Sequence, residues 1–160
     1  MNRFSISYRM PASKKPYFSI RSSATHGHGA FAVRKIRRGT RIVEYQGKRT
    51  SWKKALKRPP SDPNDPYHTF IFGLDNGKVI DASLDGNDAR WINHSCDPNC
   101  EAIEEEDGGV FIYAMRTIQP GEELNYDYRL SVDGKPSKKE RKRYACHCGS
   151  ENCRGTMLDV

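Results

Sequence analysis

The sequence predicts a mostly β fold with a few small helices and long irregular connections. Three observations predict it. Apolar residues come in short runs with strand-like alternation, and Gly, Pro, Asp and Asn punctuate them. Only one stretch carries both a start and a stop signal for a helix. Phe18-Ser19-Ile20 alternates, as do Phe31 and Val33. Arg41 to Tyr45 reads as a strand that ends at Gly47. Trp52 to Arg58 reads as a helix capped by Thr50 or Ser51 and stopped by Pro59-Pro60. The 59–66 stretch is a loop. Thr69 to Leu74 is β-rich and meets Asp75-Asn76-Gly77, a hairpin turn signal, with Val79 to Ala82 as its partner. A weak helical turn is expected over Gly86 to Ile92. Val110 to Met115 is a further strand, opened by Asp107-Gly108-Gly109. There is no internal repeat.

The 160 residues and 18.3 kDa fit one domain. With 36% apolar and 29% charged residues and a mean hydropathy of −0.84, no run approaches the roughly 20 apolar residues of a membrane span. Met1 to Pro16 has no apolar core of the kind a secretory signal needs. The net charge of +7 hides a segregation. Residues 34–58 carry a net +10, residues 62–107 a net −10, and residues 135–143 a net +5. Such runs are most often solvated surface. They also suit an acidic region that holds a basic substrate and basic blocks that lie near nucleic acid. Five cysteines, an odd number, argue against a disulfide framework, and three of them form the C-terminal CHCGSENC cluster.

Thr25 to Ala32 contains G-x-G-x-x-A. It is not read as a dinucleotide fingerprint, because Phe31-Ala32-Val33 continues as a strand where that motif needs a helix. A plain turn and a ligand loop remain equally open. Arg90 to Cys100 (RWINHSCDPNC) is dense in hydrogen-bonding groups. His94 taken alone suits a satisfied buried histidine. Tyr126 and Tyr128 fall on one face of an extended chain, and paired core aromatics are the plain reading. Cys146 and Cys148 point one way on an extended segment and His147 the other, and Cys153 follows after a turn. That supplies three local ligands where a structural zinc wants four.

Together these segments resemble the SET-domain protein lysine methyltransferases. The glycine loop GHGAFA, EYQG at 44–47, VIDASLDGNDARWINHSCDPNC, GEELNYDY and CHCGSENCRGTM follow in the family's order over about residues 16–158. The tail resembles the family's post-SET zinc motif. The resemblance implies small curved β-sheets with a knot-like threaded active site, divided into an extension (1–15), a SET domain (16–130) and a basic linker with a zinc-binding tail (131–160).

The resemblance also implies S-adenosylmethionine as cofactor, one structural zinc ion, and methyl transfer to a lysine of a basic, histone-like protein. It makes Tyr128 the catalytic tyrosine. Tyr126 falls at the family's Phe/Tyr switch, where a tyrosine points to mono- or dimethylation. Gly27, His28, Gly29, Asn93, His94, Tyr128 and Met157 become cofactor contacts, with Arg90 either a supporting residue there or half of an internal ion pair with an acid of 81–88. Tyr45, Phe70 and Tyr126 would line the lysine channel, where Phe70 stands in place of a frequent tyrosine and His68 or Tyr67 is a substitute for the lost hydroxyl. Cys96, Cys146, Cys148 and Cys153 would hold the zinc, with Cys100 left over.

Two other classes are weighed. One is a catalytically weak peptide- or chromatin-binding module, and the other is a zinc-stabilised nucleic-acid binder. The short architecture suggests a microbial or viral member. A cytoplasmic or chromatin-associated location is expected, with no membrane partner, and export as an effector is a further option.

Overall fold

The computed structural model describes residues 15–160, so the expected 1–15 extension lies, but for Lys15, outside the described residues. In chain order the elements are β1 (Phe18–Ser22), β2 (His28–Ala32), β3 (Arg41–Glu44), β4 (Lys48–Ser51), α1 (Trp52–Leu56), β5 (Ile71–Gly73), β6 (Lys78–Asp81), a 3₁₀ turn (Asp88–Trp91), β7 (Asn93–His94), β8 (Cys100–Glu104), β9 (Val110–Ala114), β10 (Asn125–Tyr126) and α2 (Lys138–Arg143). They form four small sheets: β1-β2, β3-β9-β8, β4-β6-β5, and the pair β7-β10. All pairings are antiparallel except β7 with β10, which run parallel.

Local chemistry explains most of these elements. In β9, Val110, Ile112 and Ala114 are buried while Phe111 and Tyr113 are half-buried, the period-2 pattern of a strand with one face on the core. β6 is the central strand of its sheet, and Val79, Ile80 and Asp81 are all buried. The Asp75-Asn76-Gly77 turn closes β5 onto β6: Gly77 has φ +79°, Asn76 Oδ1 accepts from Lys78 N, and Leu74 N donates to Lys78 O. Ser51, not Thr50, caps α1, because its hydroxyl accepts from Lys54 N, and the helix stops at Leu56 rather than Arg58. The weak turn expected over 86–92 is the 3₁₀ turn.

Beyond the two-residue strands β7 and β10, three elements were not expected. β4 is polar and exposed, and it exists because it pairs Lys48–Ser51 with Asp81–Lys78. β8 carries two of the acidic residues and is held by β9. The basic 135–143 run contains α2, opened by a capping box in which Ser137 Oγ accepts from Glu140 N and Glu140 accepts from Ser137 N.

The core gathers Ile36, Ile80, Ile92, Ile112, Ile118, Leu124 and Leu158, all with at most 1% exposure. Leu158 belongs to the tail. A parallel bridge joins it to Leu130, and Ala145 bridges Thr156, so the C-terminal segment is packed into the fold. Gly47 permits close packing: a Cβ there would meet Ala82 Cα at 2.7 Å.

The segregated charges partly cancel in space. Arg41 lies 3.7 Å from Glu105, and Arg58 lies 3.5 Å from the buried carboxylate of Asp81. Among the described residues, no helix is long and apolar enough to cross a membrane.

Candidate active site

The β7–β10 pair brings two distant segments together. Asn93 lies opposite Asn125 and His94 opposite Tyr126, and Ser95 N donates to Tyr126 O at 3.2 Å. Asn99 and Asn125 exchange backbone-to-side-chain hydrogen bonds at 3.0 Å in both directions, and Asn99 Nδ2 donates to Glu123 O at 2.8 Å. Each amide thus satisfies buried backbone that two-residue strands leave unpaired.

This stitching fixes Tyr128. Its N–H donates to His94 Nδ1 at 3.0 Å and its hydroxyl to the Ile92 carbonyl at 2.7 Å. Its ring lies 4.8 Å from that of Tyr126 and 5.3 Å from that of His94. Tyr126 and Tyr45 are buried, and Tyr45 donates its hydroxyl to Phe70 O at 3.1 Å. Phe72 lies between them, 5.4 Å from Tyr45 and 6.5 Å from Tyr126. Burial pushes all three tyrosine hydroxyls well above 10, so each stays protonated at any ordinary pH. Burial also pushes His94 down to about 4, against the pull of Asp127. His94 is therefore neutral, its 3.6 Å approach to Asp127 is no ion pair, and with Nδ1 accepting, Nε2 carries the hydrogen toward Cys96 Sγ at 3.4 Å.

Asn93 joins the glycine loop to this centre. Its Nδ2 donates to His28 O and Glu123 Oε1, both at 2.8 Å, and reaches His26 O at 3.4 Å. Gly27 has φ +39°. At Gly29 a Cβ would collide with the Glu123 carboxylate, which also accepts from Ser23 Oγ at 2.8 Å. The glycine therefore admits an internal carboxylate. His28 is exposed, its ring 5.1 Å from that of Trp91.

The ion pair considered for Arg90 is not formed. Its guanidinium instead lies over Trp91 (5.1 Å) and Phe70 (5.6 Å) and donates to Ala82 O at 3.3 Å, while its buried Nε has no partner. Phe70 packs edge-on against His68 and Trp91. Tyr67 is exposed and stacks under Arg143 of α2.

The tail closes one side. Cys96, Cys146, Cys148 and Cys153 converge, with sulfurs within 4.8 Å of one another and Cys96 3.7 Å from Cys146. A tetrahedron with metal–sulfur bonds of about 2.3 Å has edges of about 3.8 Å, so this set fits one metal ion. His147 is exposed, and Cys100 is buried on β8, outside the cluster. Met157 is half-buried and held by its backbone, its N–H on Tyr144 O and its carbonyl accepting from Leu130 N. Sequence reasoning did not single out Glu123, Asp127, Arg154 or Ile92. All four lie inside the quoted motifs, which were the available signal. Asp127 takes both guanidinium nitrogens of Arg154 at 2.7 and 2.9 Å.

Comparison with known proteins decides the lineage. The SET domain profile matches residues 27–129, more than half of the chain. The chain belongs to the SET-domain family. This SET domain is similar to the histone-lysine N-methyltransferase trr of Drosophila melanogaster, with 38% identity over 84% of the chain and 6% of that protein. It is 36% identical to the H3 lysine-4 specific histone-lysine N-methyltransferase of Saccharomyces cerevisiae, over 90% of the chain and 13% of that protein. Histone-lysine N-methyltransferase 2B of Homo sapiens is 34% identical, over 89% of the chain and 5% of that protein. The chain thus spans a small fraction of these relatives. The SET domain match stops before the three tail cysteines.

Proposed function

We propose that the protein is an S-adenosylmethionine-dependent lysine methyltransferase acting on histone or similarly lysine-rich protein, and that it works at chromatin. The observation that carries this reading is the fixed hydroxyl of Tyr128 beside the buried Tyr126 and Tyr45, within a chain of this family.

The donor set fits the cofactor. Neutral hydroxyls and carbonyls (Tyr128, Tyr45, Ile92 O, Phe70 O) suit a polarised methyl and an uncharged amine, with no carboxylate among them to hold the amine as ammonium. When bound, S-adenosylmethionine supplies an electrophilic methyl on sulfur. Asn93, His94, Gly27, His28, Gly29 and Met157 would hold it, with Arg90 in support through Trp91. Tyr128 orients the reacting groups. Its hydroxyl is too weakly acidic to act as a base, so its contribution is alignment, worth several kcal/mol in such reactions. The substrate lysine sheds its proton to solvent before it enters, because a dry aromatic channel disfavours ammonium. Tyr45, Phe70 and Tyr126 wall that channel. Tyr126 retains a hydroxyl where further methyl groups would go, which favours mono- or dimethylation.

The four cysteines would hold zinc, for which thiolates at tetrahedral spacing are the preferred donors. The His94 Nε2–H facing Cys96 would stabilise that thiolate and link the metal to the tyrosine centre. The basic face of α2 suits nucleic acid close to a chromatin substrate. The test is transfer of labelled methyl from S-adenosylmethionine to histones and other basic proteins, with Tyr128→Phe as control. Labelling undiminished in Tyr128→Phe, or absence of both cofactor binding and label in the wild type, would refute the reading.

A further inference from the structure

A second set of metal-type donors lies away from the cysteines. His26, Asp65 and His68 bring their ligand atoms within 4.8 Å of one another. His26 is on the glycine loop, and the other two are on the connection between α1 and β5. His26 Nε2 and Asp65 Oδ2 are 3.1 Å apart, and the two imidazoles meet edge-on with centroids 4.4 Å apart. Asp65 and His68 are arranged by the backbone. Asp65 N donates to Asp62 O and His68 N to Asp65 O, both at 3.1 Å, while Asp62 Oδ1 accepts from Asn64 N at 2.8 Å. Two successive turns thus place positions i and i+3 on one side, facing His26. His68 is braced from behind by the edge of Phe70, 4.9 Å away.

Two imidazoles and one carboxylate, with room for water, are the ligand set of an open zinc site. Imidazole selects zinc and its first-row neighbours over magnesium or calcium, which prefer all-oxygen shells. The His26 and Asp65 side chains are 50% and 43% exposed, so an ion has direct access from solvent. A hydrogen-bonded histidine–aspartate pair accounts for two of the three groups, but not for the third donor brought to the same point. We propose that His26, Asp65 and His68 form a second metal site, for a zinc-class divalent ion completed by water. The ion replaces the hydrogen shared by His26 and Asp65 and clasps the 59–68 loop to the glycine loop. Because Asn93 Nδ2 also reaches His26 O, the clasp bears on the backbone beside Asn93.

The test does not depend on methyl transfer. Protein with its cysteine cluster loaded is equilibrated with buffered free zinc, and bound zinc is counted by elemental analysis and native mass spectrometry. Wild type is expected to hold two ions per chain, and His26→Gln, His68→Gln and the double variant one each, with unchanged far-UV circular dichroism. In wild type, the ring resonances of His26 and His68 should move as the second ion binds, while those of His28 and His147 stay. A single ion in wild type, or a second ion that survives in the double variant, would overturn the proposal.

Discussion

Asp127 and Arg154 face one another as a two-point pair, with both guanidinium nitrogens on the carboxylate at 2.7 and 2.9 Å. The pair joins the segment between Tyr126 and Tyr128, just past β10, to the segment that carries Cys153. Although burial disfavours its charge, the Arg154 guanidinium holds the Asp127 carboxyl below the usual carboxylate range. Arg154→Ala leaves that partly buried carboxylate with the Arg129 N–H, at 3.1 Å, but no cation, which should cost about 1–3 kcal/mol. A double-mutant cycle with Asp127→Asn, read by chemical denaturation, should show strong coupling, and additive effects would refute the pair. The sign with pH follows from the lowered value. The stabilisation is fully present above the unfolded carboxyl's pKa of about 3.9 and is lost as pH falls through the lower folded value. The stability gap between wild type and Asp127→Asn should therefore be flat near neutrality and narrow below about pH 4.

Tyr128→Phe removes the hydroxyl that donates to Ile92 O. Turnover should fall about 100-fold or more, the scale seen when one aligned donor is removed from an active site. Cofactor affinity, read by calorimetry, should change only a few-fold. A matching loss in affinity would mean that the residue binds rather than orients.

The pH profile should belong to the substrate. Burial keeps the Tyr128 hydroxyl protonated far above neutrality, so it contributes no basic limb. The value of kcat/KM should rise with pH as more free lysine is neutral, and the residual activity of Tyr128→Phe should keep the same limb. Loss of that limb in the variant would assign the titration to the tyrosine.

Tyr126→Phe enlarges the channel by one hydroxyl in a buried aromatic group. Intact-mass analysis of the product should shift toward higher methylation, with little change in the first transfer. An unchanged product distribution would remove Tyr126 from control of methylation degree.

Chelation should strip the tail's support. With Cys148→Ser or a strong chelator, the bound metal at the cysteine cluster should be lost, and amide exchange should accelerate at Leu130, Cys146 and Met157, whose N–H groups all bond within the tail or to it. Protection that persists without metal would show that Leu158 packing alone holds the segment.

Features set by neighbours in sequence were legible. The β5–β6 hairpin follows from Asp75-Asn76-Gly77, the α1 start from Ser51, and the three tail cysteines from their spacing. β7 and β10 offered no periodicity, since two residues are too few to alternate, and only the family motifs pointed to their meeting. β4 escaped because Lys48-Arg49-Thr50-Ser51 has no apolar face, its pairing being set by β6. α2 escaped although Ser137 and Glu140 spell a capping box, because every residue of Lys138–Arg143 is charged and the helix has no apolar face. Of the two readings open for Arg90, the ion pair failed because Phe70 and Trp91, 21 residues apart in sequence, together offered aromatic faces that no local pattern announces.

The bridges from Leu130 to Leu158 and from Ala145 to Thr156 carry a consequence for biosynthesis. A ribosome lays down the glycine loop, the NHSC segment and both tyrosines well before Cys153 and Leu158. While the tail segment is still inside the exit tunnel, Cys96 lacks its sulfur partners and the core lacks Leu158. A chain ending at Tyr128 would therefore carry all its proposed cofactor contacts except Met157 and should yet remain inert. Competence should arrive only once the tail has emerged and docked.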